Sequence, residues 1–129
     1  GTFVLRDDEK DQLVFLSGGM GITPFHSMIK YAADKKMSVP ITLIASFSSP
    51  EDMIFYDEMM QINQESENIK IVYMNKRISE ETLRQYITDL NQPTYFLVGP
   101  PVMVDATGEL LDSLGIDEEK IISERFTGY

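Results

Sequence analysis

Five short apolar runs, with helical stripes between them, constrain this 129-residue chain more than any other feature. The runs are Leu13-Val14-Phe15-Leu16-Ser17, Ile41 to Phe47, Ile69 to Met74, Thr94 to Val98, and a last short one beginning at Ile121-Ile122. Each is bounded by glycine, proline or polar residues, the pattern of strands buried on both faces. In the first helical stretch Phe25, Met28, Ile29, Ala32 and Ala33 recur at core-facing spacing, with Thr23 expected as N-cap and Pro24 as first helical residue. A second helix is expected from Pro50 to about Gln64, and a third after the cap Ser79, burying Leu83, Tyr86, Ile87 and Leu90. A fourth stripe, Met103, Ala106, Leu110, Leu111 and Leu114, stops at Gly115, placed as a C′ glycine.

Strand and helix that alternate across short loops imply an α/β fold, a doubly wound, five-stranded parallel Rossmann-like sheet with helices on both faces. Right-handed crossovers then place ligands at the carboxyl ends of the strands, near the point where strand order reverses. Here those ends are Ser17-Gly18-Gly19, Phe47-Ser48-Ser49, Asn75-Lys76-Arg77 and Val98-Gly99-Pro100. The length suits one core, so residues 1–129 are expected to form a single domain. A net charge of −10 repels phosphate backbones at long range, which disfavours a nucleic-acid partner. A small phosphorylated ligand stays compatible, because free amides at a helix start hold an anion locally. The absence of cysteine excludes disulfides and a thiolate nucleophile, and no metal site is expected. No apolar run approaches the roughly 20 residues that cross a bilayer, and no secretory leader is visible. A cytoplasmic chain without a membrane partner is expected.

Two strand ends carry unusual residues. Ser17-Gly18-Gly19-Met20-Gly21-Ile22-Thr23-Pro24 follows a strand and opens a helix, so glycines allow close backbone approach beside free N–H groups. Counted from Gly19, Pro24 replaces the third glycine of the usual dinucleotide pattern, and no Walker Gly-Lys-Ser/Thr follows. From the residues alone the turn is a phosphate cradle or a tight connection without a ligand. Gly99-Pro100-Pro101-Val102-Met103 is a second stiff junction that offers carbonyls and apolar surface, or ordinary helix initiation by proline. The ending Glu124-Arg125-Phe126-Thr127-Gly128-Tyr129 sets two aromatics around a flexible Thr-Gly, suited to docking on a flat apolar surface or to packing on its own domain.

Together, SGGMGITPF, GPPVMV and ERFTGY, in this order and spacing, resemble the pyridine-nucleotide domain of ferredoxin–NADP reductase-type flavoproteins. Gly1-Thr2-Phe3-Val4-Leu5 is similar to the last strand of the flavin-binding barrel that precedes this domain, so an FAD-binding barrel is expected upstream. Residues 49–59 are similar to the helix after the second strand in bacterial members. The resemblance implies that Gly18, Gly19, Gly21, Ile22, Thr23 and Pro24 cradle the pyrophosphate and flank the nicotinamide ribose. Gly99, Pro100, Pro101, Met103 and Val104 are implied as the opposite wall of the cleft. Phe126, or else Tyr129, is implied beside the isoalloxazine ring of FAD, with Glu124 nearby, as the catalytic candidates. Val98 stands where many members have a cysteine.

The implied function is an NAD(P)H-binding domain of an FAD-dependent oxidoreductase. It would position nicotinamide for hydride transfer to flavin N5, with electrons passed on to an acceptor such as an iron–sulfur or haem protein. The implied cofactors are NAD(P)H and FAD, the latter held mainly by the FAD-binding domain in the same or another chain, without which this domain is inactive. The alternative is a non-enzymatic doubly wound binding or regulatory module that kept the fold. Coenzyme choice stays open, since Ser46, Phe47, Ser48 and Ser49 at the second strand end are neither acid nor base. Ser48 is assigned to cofactor binding because a hydroxyl bonds to either a ribose hydroxyl or a phosphate. Lys76 and Arg77 reach toward a 2′-phosphate or form a solvated turn before Ser79. His26, the sole histidine, reads as a surface residue, and Met28, Met53 and Met103 as core filling.

Overall fold

Leu13–Gly18 forms the central strand, β1, because all six of its residues are apolar or small enough to be buried on both faces. The structure, a computed structural model, describes Leu5, Arg6 and residues 10–125, with Met20 described by its backbone alone. The readings of residues 1–4, Phe126 and Tyr129 lie outside the described residues. Around β1 stand β2 (Ile41–Ser46), β3 (Ile69–Met74), β4 (Thr94–Gly99) and β5 (Ile121–Arg125). All pairs are parallel, in the order β3-β2-β1-β4-β5. The helices are α1 (Ile22–Asp34), α2 (Tyr56–Glu65), α3 (Glu80–Tyr86) and α4 (Pro101–Ser113). The expected doubly wound fold is therefore present, and strand order reverses between β1 and β4.

Alternation along the strands builds one apolar layer on each face. Leu13, Phe15, Leu43 and Ile71 pack with Phe25, Met28 and Ile29 of α1 and Met59 of α2. Val14, Leu16, Ile44 and Leu97 pack with Leu83 of α3 and with Val104 and Leu111 of α4. Phe15 links β1 to α1 and to β4. Its ring stacks on Phe25 at 4.5 Å and meets Phe96 edge-on at 5.5 Å. Each such buried side chain contributes about 1.5–3 kcal/mol.

Element ends depart from the sequence reading in four places. Helix α1 starts at Ile22 with Gly21 as N-cap and no side-chain cap, so Thr23 and Pro24 are its second and third residues. The reason is a 3-10 turn at Gly19–Gly21 that ends in right-handed helical geometry and runs straight into α1. The single helix expected from Pro50 is instead a 3-10 turn at Pro50–Asp52, a break, and α2 from Tyr56. Phe55 makes the break with φ +62, its ring stacked on the His26 imidazole at 3.8 Å. His26 is accordingly no surface residue: its side chain is 16% exposed, and Nε2 lies 2.9 Å from Glu58 Oε2 of α2. Helix α3 ends at Tyr86, yet Ile87 and Leu90 are still buried beyond it. Finally, α4 buries Val104 and Thr107 as well as Leu111 of the expected stripe; Met103, Leu110 and Leu114 are half-buried against the same layer, and Ala106 is exposed. The caps Ser79, which accepts from the Thr82 N–H, and Gly115, with φ +83, stand where expected.

Tyr95 of β4 is fully buried and donates from its hydroxyl to the Leu90 carbonyl at 2.6 Å. Burial, assisted by the nearby Asp89 charge, pushes its phenol up from 10.0 to about 12. Burial also raises Tyr73, whose hydroxyl donates to the Ile54 carbonyl. A raised phenol pKa means that the unfolded chain loses its proton first, so the stability held below pH 10 falls as pH rises toward 12. We predict that Tyr95→Phe costs about 1–2 kcal/mol at neutral pH by leaving a buried carbonyl unpaired. Its alkaline decline should also be shallower. Urea denaturation at pH 7 and across pH 10–12 checks both, and parental midpoints throughout would show the hydroxyl idle.

Candidate functional site

At the point where strand order reverses, the chain leaves β1 through three glycines that serve different ends. Gly19 has φ +55, and a Cβ placed there would meet nothing within 4 Å. This is left-handed backbone facing open space, which glycine adopts without strain. Gly21 is the opposite case. A Cβ there would lie 2.3 Å from the Val98 carbonyl oxygen and 3.0 Å from the Gly99 nitrogen, so the turn rests directly on the end of β4. Gly18 and Gly99 together make room for Met103, whose side chain a Cβ would meet at 2.8 Å from Gly18 and 3.0 Å from Gly99.

Over these strand ends opens a cleft of about 500 Å³, within the roughly 300–1,000 Å³ usual for small-molecule sites. Gly18 and Gly19 form its floor beside β1. One side is apolar, from Pro100 and from Val102, Met103, Ala106 and Thr107 of α4, with Ile78 opposite. The other side is polar and basic, from Ser46 at the end of β2, Phe47 and Ser48 after it, and Asn75, Lys76 and Arg77 after β3. Among the described residues the only charged groups lining the cleft are Lys76 and Arg77, although the chain carries 21 acids against 11 bases. The Ser46 hydroxyl donates to the Lys76 carbonyl at 2.7 Å, and the Phe47 N–H to the Met74 carbonyl at 2.9 Å, so the two basic residues sit on a tied loop. Ser48 donates to Asp52 at 3.3 Å.

Of the residues singled out from sequence, Gly18, Gly19, Ser48, Pro100 and Met103 line this cleft. Gly21 and Gly99 form the packed seam beneath it. Thr23 is exposed at the start of α1, and Pro24 and Pro101 are half-buried in the first turns of α1 and α4. Ile22 and Val104 do not form its walls. They are 1% and 4% exposed, in the apolar layers on opposite sheet faces, because helical geometry turns them inward. Glu124 is half-buried on β5, opposite Val98 in register, while Phe126 lies outside the described residues. Sequence reasoning missed Ile78, Ala106 and Thr107 as cleft lining; Met103, read both as core filling and as a cleft wall, serves as both. An amphipathic stripe shows where a helix is apolar but not which rim of it borders an opening.

Among the described residues no cluster of His, Asp or Glu stands ready to hold a metal ion, and no helix is long and apolar enough to cross a membrane. A dinucleotide fits the lining: open space over a left-handed glycine, an apolar wall, and two bases at the far side. A glycine turn between β1 and α1, at the switch point of a doubly wound sheet, defines the nucleotide-binding class of α/β proteins.

Residues 15–109 match the family profile of the oxidoreductase NAD-binding domain, and the chain belongs to that family. It is 27% identical over 139 residues to the glycine betaine monooxygenase reductase subunit of Pseudomonas aeruginosa, across 98% of this chain and 38% of that protein. It is 29% identical over 140 residues to flavohemoprotein B of Dictyostelium discoideum, across 98% and 33%. The fold superposes on the Amycolatopsis cytochrome P450 reductase with a TM-score of 0.81 at 18% identity, covering 99% of this chain and 42% of that one. It also superposes on a ferredoxin NADP+ reductase from Neisseria gonorrhoeae with bound FAD and NADP, at TM-score 0.71 and 24% identity, covering 92% and 57%. The chain spans about two fifths of the length of the monooxygenase reductase components it matches.

Proposed function

We propose that this chain is the NAD(P)H-binding domain of an FAD-dependent reductase, joined to an FAD-binding barrel in the same or another polypeptide and inactive without it. The observation that carries the reading is a switch-point cleft whose only charged lining residues, among those described, are two bases in a chain of net charge −10. When bound, the dinucleotide supplies a hydride and the flavin accepts it.

The chain's own residues bind, orient and exclude water. Gly19 and the first amides of α1 hold the pyrophosphate without a side chain in the way. Val102, Met103 and Ala106 form an apolar wall. Lys76 and Arg77 stand free of acidic partners among the described residues and favour a phosphate on the adenosine ribose. Glu124, on β5, and Phe126, which follows Arg125 in sequence, are assigned to the nicotinamide end. A monooxygenase reductase subunit and a flavohemoprotein among the relatives support a redox acceptor such as an iron–sulfur or haem protein.

Calorimetric titration of the protein with ADP and with 2′,5′-ADP at low ionic strength tests the reading. Both are expected to bind, 2′,5′-ADP about tenfold tighter or more, as one added charge-assisted contact allows. Binding of neither overturns it in favour of a module that kept only the fold.

A further inference from the structure

Among the described residues the buried polar side chains are Ser17, Thr42, Thr82 and Thr107. Of these, Thr107 alone lines the cleft. It is the seventh residue of α4 and is 5% exposed, in a wall that is otherwise apolar. A hydroxyl inside a helix often bonds back to a carbonyl one turn earlier, as Ser113 of the same helix does to the Leu110 carbonyl at 2.7 Å. The Thr107 hydroxyl has no such bond, nor any other among the described residues. It is not sealed in either: among those residues the one side-chain oxygen both enclosed and without a partner is that of Ser17. Thr107 Oγ1 therefore keeps an opening, and the space beside it is the cleft. A nearly buried hydroxyl without a partner is costly unless something arrives to bond it.

The neighbouring residues say what arrives. Lys76, Arg77 and Ile78 are consecutive, and all three line the cleft. Ile78 and Met103 both pack on the apolar layer of the α4 face, and Met103 is seated over Gly18 and Gly99, so the two sides of the opening are fixed in place. A gap with apolar sides and one hydroxyl suits a flat ring with a polar edge. With a pyrophosphate over Gly19 and a ribose phosphate at Lys76 and Arg77, the base on that ribose falls beside Ile78 and against α4. Thr107 lies four residues past Met103, about 6 Å along the helix. A two-ring base spans that distance, whereas a single ring stops short.

We propose that Thr107 reads the base of the coenzyme: its hydroxyl bonds to the polar edge of adenine, which lies between Ile78 and the Met103 and Ala106 side of α4. The proposal rests on the functional reading above, and it adds a residue that selects the base to those that select the ribose phosphate.

The test titrates the parent chain, Thr107→Val and Thr107→Ser calorimetrically with ADP, 2′,5′-ADP and UDP, and records each thermal midpoint. Valine keeps the branched shape and the helix propensity of threonine and loses only the hydroxyl, whereas serine keeps it. Thr107→Val is expected to weaken ADP about fivefold or more, the loss of one hydrogen bond, and to change UDP little. The preference for 2′,5′-ADP over ADP should stay parental, because Lys76 and Arg77 are untouched. The midpoint should hold or rise, since no bond within the protein is lost. Thr107→Ser should keep most of the ADP affinity. Parental ADP affinity in Thr107→Val overturns the proposal. So does an equal loss for ADP and UDP, which would give the hydroxyl to the sugar or the phosphates, and so does a lowered midpoint, which would give it to the fold. A parent that binds none of the three ligands is a separate result, and it overturns the functional reading and this inference together.

Discussion

Gly21→Ala should be the most disruptive single-methyl change in the turn, and it should act on folding before it acts on any ligand. The φ of Gly21 is −64°, which alanine adopts freely, so backbone strain is not the reason. The reason is space: the new carbon would sit 2.3 Å from the Val98 carbonyl oxygen and 2.7 Å from its carbon. Both atoms belong to the backbone of β4 at its pairing with β1, so neither can swing aside. A loss of about 3 kcal/mol is expected, the upper end for overpacking, with a fall in thermal midpoint of about 10 °C. Gly19→Ala is the control, because its Cβ meets nothing. It should cost only about 1–2 kcal/mol for a left-handed alanine, while placing a methyl group where the proposed pyrophosphate would approach. Thermal unfolding and ADP titration of both variants separate the two roles. A Gly21→Ala protein with the parental midpoint would mean that the turn does not rest on β4.

Charge reversal at the basic side of the cleft should produce the largest change in affinity. Lys76→Glu and Arg77→Glu each remove a cation and add an anion in a cleft that otherwise has no charge of its own among the described residues. Loss of one charge-assisted contact, at about 1.5–3 kcal/mol, corresponds to a roughly 10–100-fold weaker complex with 2′,5′-ADP. ADP, which lacks the 2′-phosphate, should weaken much less. Both residues are exposed, so added salt should narrow the gap between the two ligands. Ser46→Ala should act in the same sense but more weakly, since its hydroxyl holds the Lys76 carbonyl rather than the ligand. Equal affinity of the parent for the two ligands, or variants that keep the parental preference, would remove these residues from coenzyme selection.

These two cases show how differently the parts of the site were legible. The glycine turn was visible at once, since Gly18, Gly19 and Gly21 stand between an apolar run and a helical stripe. Its meaning was not visible, because a glycine kept for a ligand and one kept for a neighbouring strand read alike. The resemblance treated the glycines as one cradle, whereas the fold gives Gly19 to the open cleft, Gly21 to β4, and Gly18 both to the cleft floor and to Met103. Lys76 and Arg77 were legible as a basic dipeptide after a strand, but not as the sole charges that line the cleft among the described residues. That required β2, β3 and α4 to be brought around one opening.

The helix ends misled for a related reason. Ser49-Pro50 is a sound local start signal, but Phe55 turns left-handed against His26, a residue on another helix. In α4 the apolar stripe was real, yet the buried line runs through Val104, Thr107 and Leu111, because packing against β4 and β5 rotates the helix about its axis.

By itself, the sequence determined the five strands, the helical stretches between them and the doubly wound class, since hydrophobic periodicity and turn chemistry are local properties of the chain. Together with the terminal motifs it also pointed to the pyridine-nucleotide family. Only the tertiary structure decided that Gly21 bears on Val98, that Met103 fills the seam between Gly18 and Gly99, and that Asp105 meets Arg125. Those contacts join segments far apart along the chain, and their distances follow from how the strands pair and how α4 is rotated, which no local pattern encodes.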